Sequence, residues 1–90
     1  MIALIDGAAV ATRDDLHDAL KRQLALPDWY GRNLDALYDC LADIREDTEI
    51  CLVHADKLSA YLGAYAGVLQ TVLHDAADEN PRLHLTVEEE

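Results

Sequence analysis

The chain has no phenylalanine, a single tryptophan, two cysteines and only seven lysines and arginines. It also has no run of 18 or more apolar residues, which excludes a membrane-spanning helix. No basic stretch followed by a long apolar segment opens it, so no secretory leader is visible and a cytoplasmic protein is expected. Cys40 and Cys51 each lie in an apolar run and read as reduced, buried thiols behaving as small hydrophobes. No Cys/His spacing suits zinc, so neither a metal nor another cofactor is expected.

The shortage of cations matters most. Eighteen acids face seven bases, for a net charge of −11. Phosphate contacts need Lys and Arg, so nucleic acid is excluded as a direct ligand. The field of such a chain instead attracts basic partners. The charges are unevenly spread. Arg13, Lys21, Arg22 and Arg32 supply four of the seven bases within the first 32 residues. Residues 35–49 carry six acids (Asp35, Asp39, Asp43, Glu46, Asp47, Glu49) against Arg45 alone. The closing Glu88-Glu89-Glu90 run reads as a solvated tail.

What is present suits one small domain over residues 1–90, since 51% of the residues are hydrophobic. Ile2-Ala-Leu-Ile5 reads as a buried strand ended by an Asp6-Gly7 turn. Thr12 caps a helix, with Asp15 at the capping-box position. Leu16, Ala19, Leu20 and Leu24 form its apolar face, interrupted by Gln23, and Pro27 helps to end it. Asn33 is an N-cap for a second helix over residues 34–43. Ile50-Cys-Leu-Val53 is a continuous apolar run, as expected of a strand covered on both faces. A short helix over residues 55–64, a bend near Gly67 and a last helix with Val68, Leu69, Val72, Leu73 and Ala76 inward come next. Asn80-Pro81 terminates that helix, and Leu83, Leu85 and Val87 alternate with polar residues as an edge strand. Crossovers through helices favour parallel pairing. The fold class is therefore α/β: a three-stranded parallel sheet packed with about four helices.

The second helix is the candidate site. On a helical wheel Leu34, Leu37, Cys40, Leu41 and Ile44 fall within about 120° of one another, a buried arc. Asp35, Asp39 and Asp43 fall within about 80° on the opposite side, one turn apart. They form a stripe about 12 Å long. Like charges at this spacing cost on the order of 0.2–0.5 kcal/mol per pair. A solvated face on an acidic protein would explain the stripe by itself. Trp29, Tyr30 and Tyr38 lie beside it, however, and aromatics next to charge mark recognition surfaces.

The segment Leu24-Ala-Leu-Pro-Asp-Trp-Tyr-Gly-Arg-Asn-Leu-Asp-Ala-Leu-Tyr-Asp-Cys-Leu41 closely resembles the core motif of the barstar family. The likeness extends back through Asp15-Leu-His17 and the opening strand, and continues weakly into Val68-Leu-Gln70. The C-terminal third agrees by element order only. The resemblance implies a barstar-like α/β fold and an intracellular inhibitor of a small basic ribonuclease of the barnase type, bound one to one. It implies a chain that is monomeric when free and serves as an antitoxin or immunity protein. In that family the second helix and the loop before it plug the nuclease active site, with carboxylates where RNA phosphates would lie. Carried over, Asp39 would be the central phosphate mimic and Asp35 would pair with a second cation. Trp29 would pack on a catalytic histidine, and Gly31, Asn33 and Leu34 would line the contact surface. Tyr38 takes the place of a family Trp, Ala42 that of a hydroxyl side chain, Asp43 that of Gly and Ile44 that of Trp. Asp75 is the candidate for the acid that the last helix contributes.

Two other functions fit the composition. One is a barstar-like acidic module for a different basic protein or toxin. The other is an enzyme using Asp35 and Asp39 as an acid/base pair with His17, His54, His74 or His84. An exposed carboxylate pair without a nucleophile or metal motif argues against the enzyme.

Overall fold

A computed structural model describes all residues, 1–90. Strand β1 (Ile2–Asp6) leads through a 3-10 turn (Gly7–Ala9) to helix α1 (Arg13–Leu24). Helix α2 (Leu34–Ala42), strand β2 (Thr48–Val53), helices α3 (Ala55–Leu62) and α4 (Ala64–Glu79) and strand β3 (Leu83–Val87) follow. The three strands pair in parallel in the order β1-β2-β3, with Ala3 opposite Ile50 and Ile50 opposite Leu85. The α/β expectation, the parallel sheet and the four helices are thus observed.

Local chemistry sets the helix ends. The Thr12 hydroxyl accepts from the Asp15 amide, and the Asp15 carboxylate accepts from the Ala11 amide one residue upstream of the cap. Asp14 and Asp15 at the start of α1, and Lys21 and Arg22 at its end, complement the helix dipole. Ala25 takes a left-handed conformation, and the amides of Ala25 and Leu26 both bond the Lys21 carbonyl. Gln23, the polar residue on the apolar face of α1, accepts from the Leu4 amide. It thereby pairs an outward N–H on the free edge of β1.

Nineteen buried apolar residues form one cluster between the sheet and the helices. Ala3 and Ile5, Ile50 and Leu52, and Leu83 point into it. Burying a Leu or Ile fully contributes about 1.5–3 kcal/mol, so this cluster is the main source of stability.

The expectations that β1 is buried and that β2 is covered on both faces are corrected. Ile2 is 70% exposed and Leu4 51% exposed. Glu49, Cys51 and Val53 on the same face are half-buried. One face of the sheet meets the core and the other is largely open. The expected bend also moves. Gly67 lies within α4, and the break between α3 and α4 falls at Gly63, whose φ is +60°. The acidic tail is likewise more than a solvated appendage. The carbonyls of Glu88 and Glu89 accept from the amides of Ala55 and Asp56, serving the start of α3, where His54 provides no side-chain cap.

Candidate functional site

The site begins with a loop held from below. The Tyr30 amide bonds the Pro27 carbonyl. The buried Tyr30 hydroxyl lies 2.7 Å from His17 Nδ1 on α1, and His17 Nε2 lies 2.8 Å from the Tyr65 hydroxyl on α4. One imidazole thus ties the loop to two helices. A neutral ring has one donor and one acceptor nitrogen, which suits two hydroxyl partners. Burial, followed by the nearby Arg32 charge, holds the His17 pKa below its ordinary value, against a smaller opposing pull from Asp14 and Asp18. Burial likewise pushes the Tyr30 phenol well above its usual range.

With Tyr30 facing inward, the adjacent Trp29 faces out and is 80% exposed. Two hollows of about 220 and 270 Å³ flank its ring, one lined by Leu26, Pro27 and Ile44 and the other by Gly31, Asp39 and Asp43. Cys40 borders both hollows. Burial, then the carboxylates of Asp39 and Asp43, raise its thiol pKa, so it stays an uncharged apolar surface.

Asn33 then starts α2. Its Oδ1 accepts from the Ala36 amide at 2.8 Å, and its Nδ2 donates to the Gly31 carbonyl, bracing the loop against the helix. Leu37 and Leu41 are fully buried beneath the helix, while Leu34, Tyr38, Cys40 and Ile44 are half-buried at its sides. The helix ends at Ala42, with Asp43 as its C-cap, so Asp43 and Ile44 lie just past the helical residues. The far end is secured from α4. The buried Asn80 amide donates to the carbonyls of Leu41 and Ile44 at 2.9 and 3.0 Å, while its Oδ1 accepts from the Arg82 amide. The Leu41 carbonyl also accepts from the Ile44 amide at 3.3 Å, so Asn80 adds a shorter bond there and supplies a donor to the Ile44 carbonyl just past the helix.

Asp35, Asp39, Ala42 and Asp43 are exposed. No ion pair of the chain involves any of the three aspartates. Arg32, the only cation in the motif, pairs with none of them. It reaches Asp18 at 2.8 Å and Asp14 at 3.8 Å, and donates to the Asp14 carbonyl. Its backbone is left-handed, with φ of +56°. The structure therefore brings Trp29, Gly31, Asn33, Leu34, Asp35, Tyr38, Asp39, Ala42, Asp43 and Ile44 into one continuous loop-and-helix unit. Asp75 lies outside this unit, exposed on α4, the helix against which α2 packs.

The histidines do not join this surface. His17 is in the core, whereas His54, His74 and His84 are exposed on other elements. No cluster of three or more His, Cys, Asp or Glu side chains is placed to hold a metal ion. No helix is long and apolar enough to cross a membrane.

Sequence reasoning read Asn80 only as a helix terminator. The signal for its second role, a buried-type amide just ahead of Pro81, carries no hint of the partner carbonyls 36 and 39 residues away.

A family model described as Barstar (barnase inhibitor) matches residues 1–88. The chain belongs to the barstar family. Barstar-family proteins are inhibitors, so the acid/base reading of Asp35 and Asp39 falls away with this assignment. A relative in Bacillus subtilis (strain 168), YrdF, is 39% identical over 77 residues, covering 84% of this chain and 85% of its own length. YrdF is named a candidate ribonuclease inhibitor.

Proposed function

We propose that this barstar-family chain is a cytoplasmic inhibitor of a small basic ribonuclease of the barnase type, acting as a 1:1 antitoxin-like partner and monomeric when free. The observation that carries the reading is the unpaired aspartate ridge. Asp35, Asp39 and Asp43 stand exposed while the neighbouring Arg32 is spent on Asp14 and Asp18. The one cation of the motif thus leaves the stripe without a partner inside the chain.

A phosphate-binding cleft is rich in cations, and carboxylates on a stiff helix meet them with charge-assisted hydrogen bonds. Asp39 is placed centrally as the phosphate mimic, with Asp35 about 6 Å along the axis for a second cation. Trp29, free on its outer face, lies against the catalytic histidine. Gly31, Asn33, Leu34 and Tyr38 fill the contact around it, with Ala42, Asp43, Ile44 and Asp75 at the rim. Asn33, Tyr30 and Asn80 hold both ends of the ridge in advance, so little ordering entropy is lost on binding. Family membership and the name of the YrdF relative support ribonuclease inhibition.

The test is titration of the purified chain into a barnase-type ribonuclease assay at low and high salt. Stoichiometric inhibition that weakens with salt, mainly through the association rate, is expected. Absence of inhibition, together with recovery of a non-nuclease basic protein from the native lysate, would transfer the ridge to a different target.

A further inference from the structure

Beside Asp35 two arginines interrupt the acidic surface. A cleft of about 580 Å³ runs between α1, the start of α2 and α4, and Arg13, Arg32, Tyr65, Leu34 and two aspartates, Asp14 and Asp35, line it. The two arginines differ. Arg32 is engaged by Asp18 and Asp14. Arg13 has no carboxylate partner in the chain and lies 4.1 Å above the ring of Tyr65.

The pose of Arg13 is built into the fold. Arg13 and His17 are one turn apart on α1, and both grip Tyr65: Arg13 on its ring face, His17 on its hydroxyl. Because His17 also bonds Tyr30, the same residues that hold the Trp29 loop also hold the ring beneath Arg13. Stacking uses the face of a guanidinium and leaves its N–H edge free for a planar acceptor. A carboxylate is the acceptor that matches this edge bidentately.

We propose that this cleft is a second, opposite-sign contact of the binding surface, in which Asp35 takes a cation of the ribonuclease and Arg13 takes a carboxylate next to it. The proposal rests on the ribonuclease reading above and makes Arg13 a specificity-determining residue. The chain would then select nucleases that carry an acidic side chain at the rim of their basic cleft.

General electrostatics predicts the opposite sign, which makes the test sharp. Removing a cation from an acidic inhibitor should speed its encounter with a basic partner. Wild type, Arg13→Gln, Arg13→Glu and Arg13→Lys are compared by association and dissociation kinetics against a panel of purified barnase-type ribonucleases, with thermal melts to verify folding. Against the nuclease that wild type inhibits best, Arg13→Gln should loosen binding about tenfold and Arg13→Glu about a hundredfold, mainly through faster dissociation, with Arg13→Lys intermediate. Neutralising one acidic residue of that nuclease should abolish these differences. Unchanged or tighter binding by Arg13→Gln would overturn the contact and leave the inhibitor reading intact. Failure of the wild-type chain to inhibit any nuclease of the panel would overturn the inhibitor reading, and the contact with it.

Discussion

The side-chain amide of Asn80 bonds the main-chain carbonyl of Leu41, joining the end of α4 to the end of α2 across 39 residues. A second bond from the same amide reaches Ile44. The helix that carries the aspartates is thus fastened at its C-terminal end by a neutral group, where a cation would be the usual choice and would lie near Asp43.

Replacing Asn80 by Leu should cost about 2–4 kcal/mol, because the Ile44 carbonyl loses its donor, the Arg82 amide its acceptor and the Leu41 carbonyl its shorter bond. Urea melts check the magnitude. Hydrogen exchange should show the loss concentrated in the last turn of α2.

Gly7 sets a second structural limit. A Cβ there would overlap the His54 carbonyl oxygen, a main-chain atom that cannot swing aside. Gly7→Ala should force the turn after β1 away from the start of α3 and cost about 1–3 kcal/mol, read as a lowered thermal midpoint. Gly67→Ala, with nothing within 4 Å of the added methyl group, should instead raise stability by about 0.5–1 kcal/mol.

His17 makes stability depend on pH. Its folded pKa lies below the ordinary 6.5. Below that value the unfolded chain takes up a proton that the folded chain resists, so unfolding binds protons and stability rises with pH. This contribution is fully present above about 6.5 and is lost as pH falls from there through the folded pKa. Urea melts on either side of pH 6.5 should show a shallower pH slope in His17→Gln than in wild type. Identical slopes would assign the dependence to other groups.

Asp39→Ala should separate binding from folding. The side chain is exposed and makes no ion pair, so thermal melts should shift by no more than about 0.5 kcal/mol. Binding to the ribonuclease should weaken by at least about 1.5–3 kcal/mol in calorimetry, the size of a charge-assisted hydrogen bond. Comparable losses in both would make Asp39 a structural residue.

Much of the fold was legible because it rests on local chemistry. Thr12 and Asn33 announce helix starts by side-chain acceptors three residues from their donors, and apolar runs mark the first two strands as alternation marks the third. The errors came where distant packing decides. An apolar run such as Ile50–Val53 cannot distinguish one covered face from two. The break before α4 needed a positive φ, which Gly63 supplies, while Gly67 merely tolerates the helix. The aspartate stripe followed from helical spacing alone. That Arg32 leaves it unpaired did not, because the partners Asp14 and Asp18 lie on another helix.

In the loop and α2, the outward residues and the inward ones do separate work. Trp29, Asp35, Asp39 and Asp43 hold up nothing, whereas Tyr30, Asn33, Leu37 and Leu41 carry the frame. Mutational drift can therefore rewrite the outer letters without loosening the scaffold. A lineage carrying this frame can exchange one set of surface groups for another while the fold stays the same.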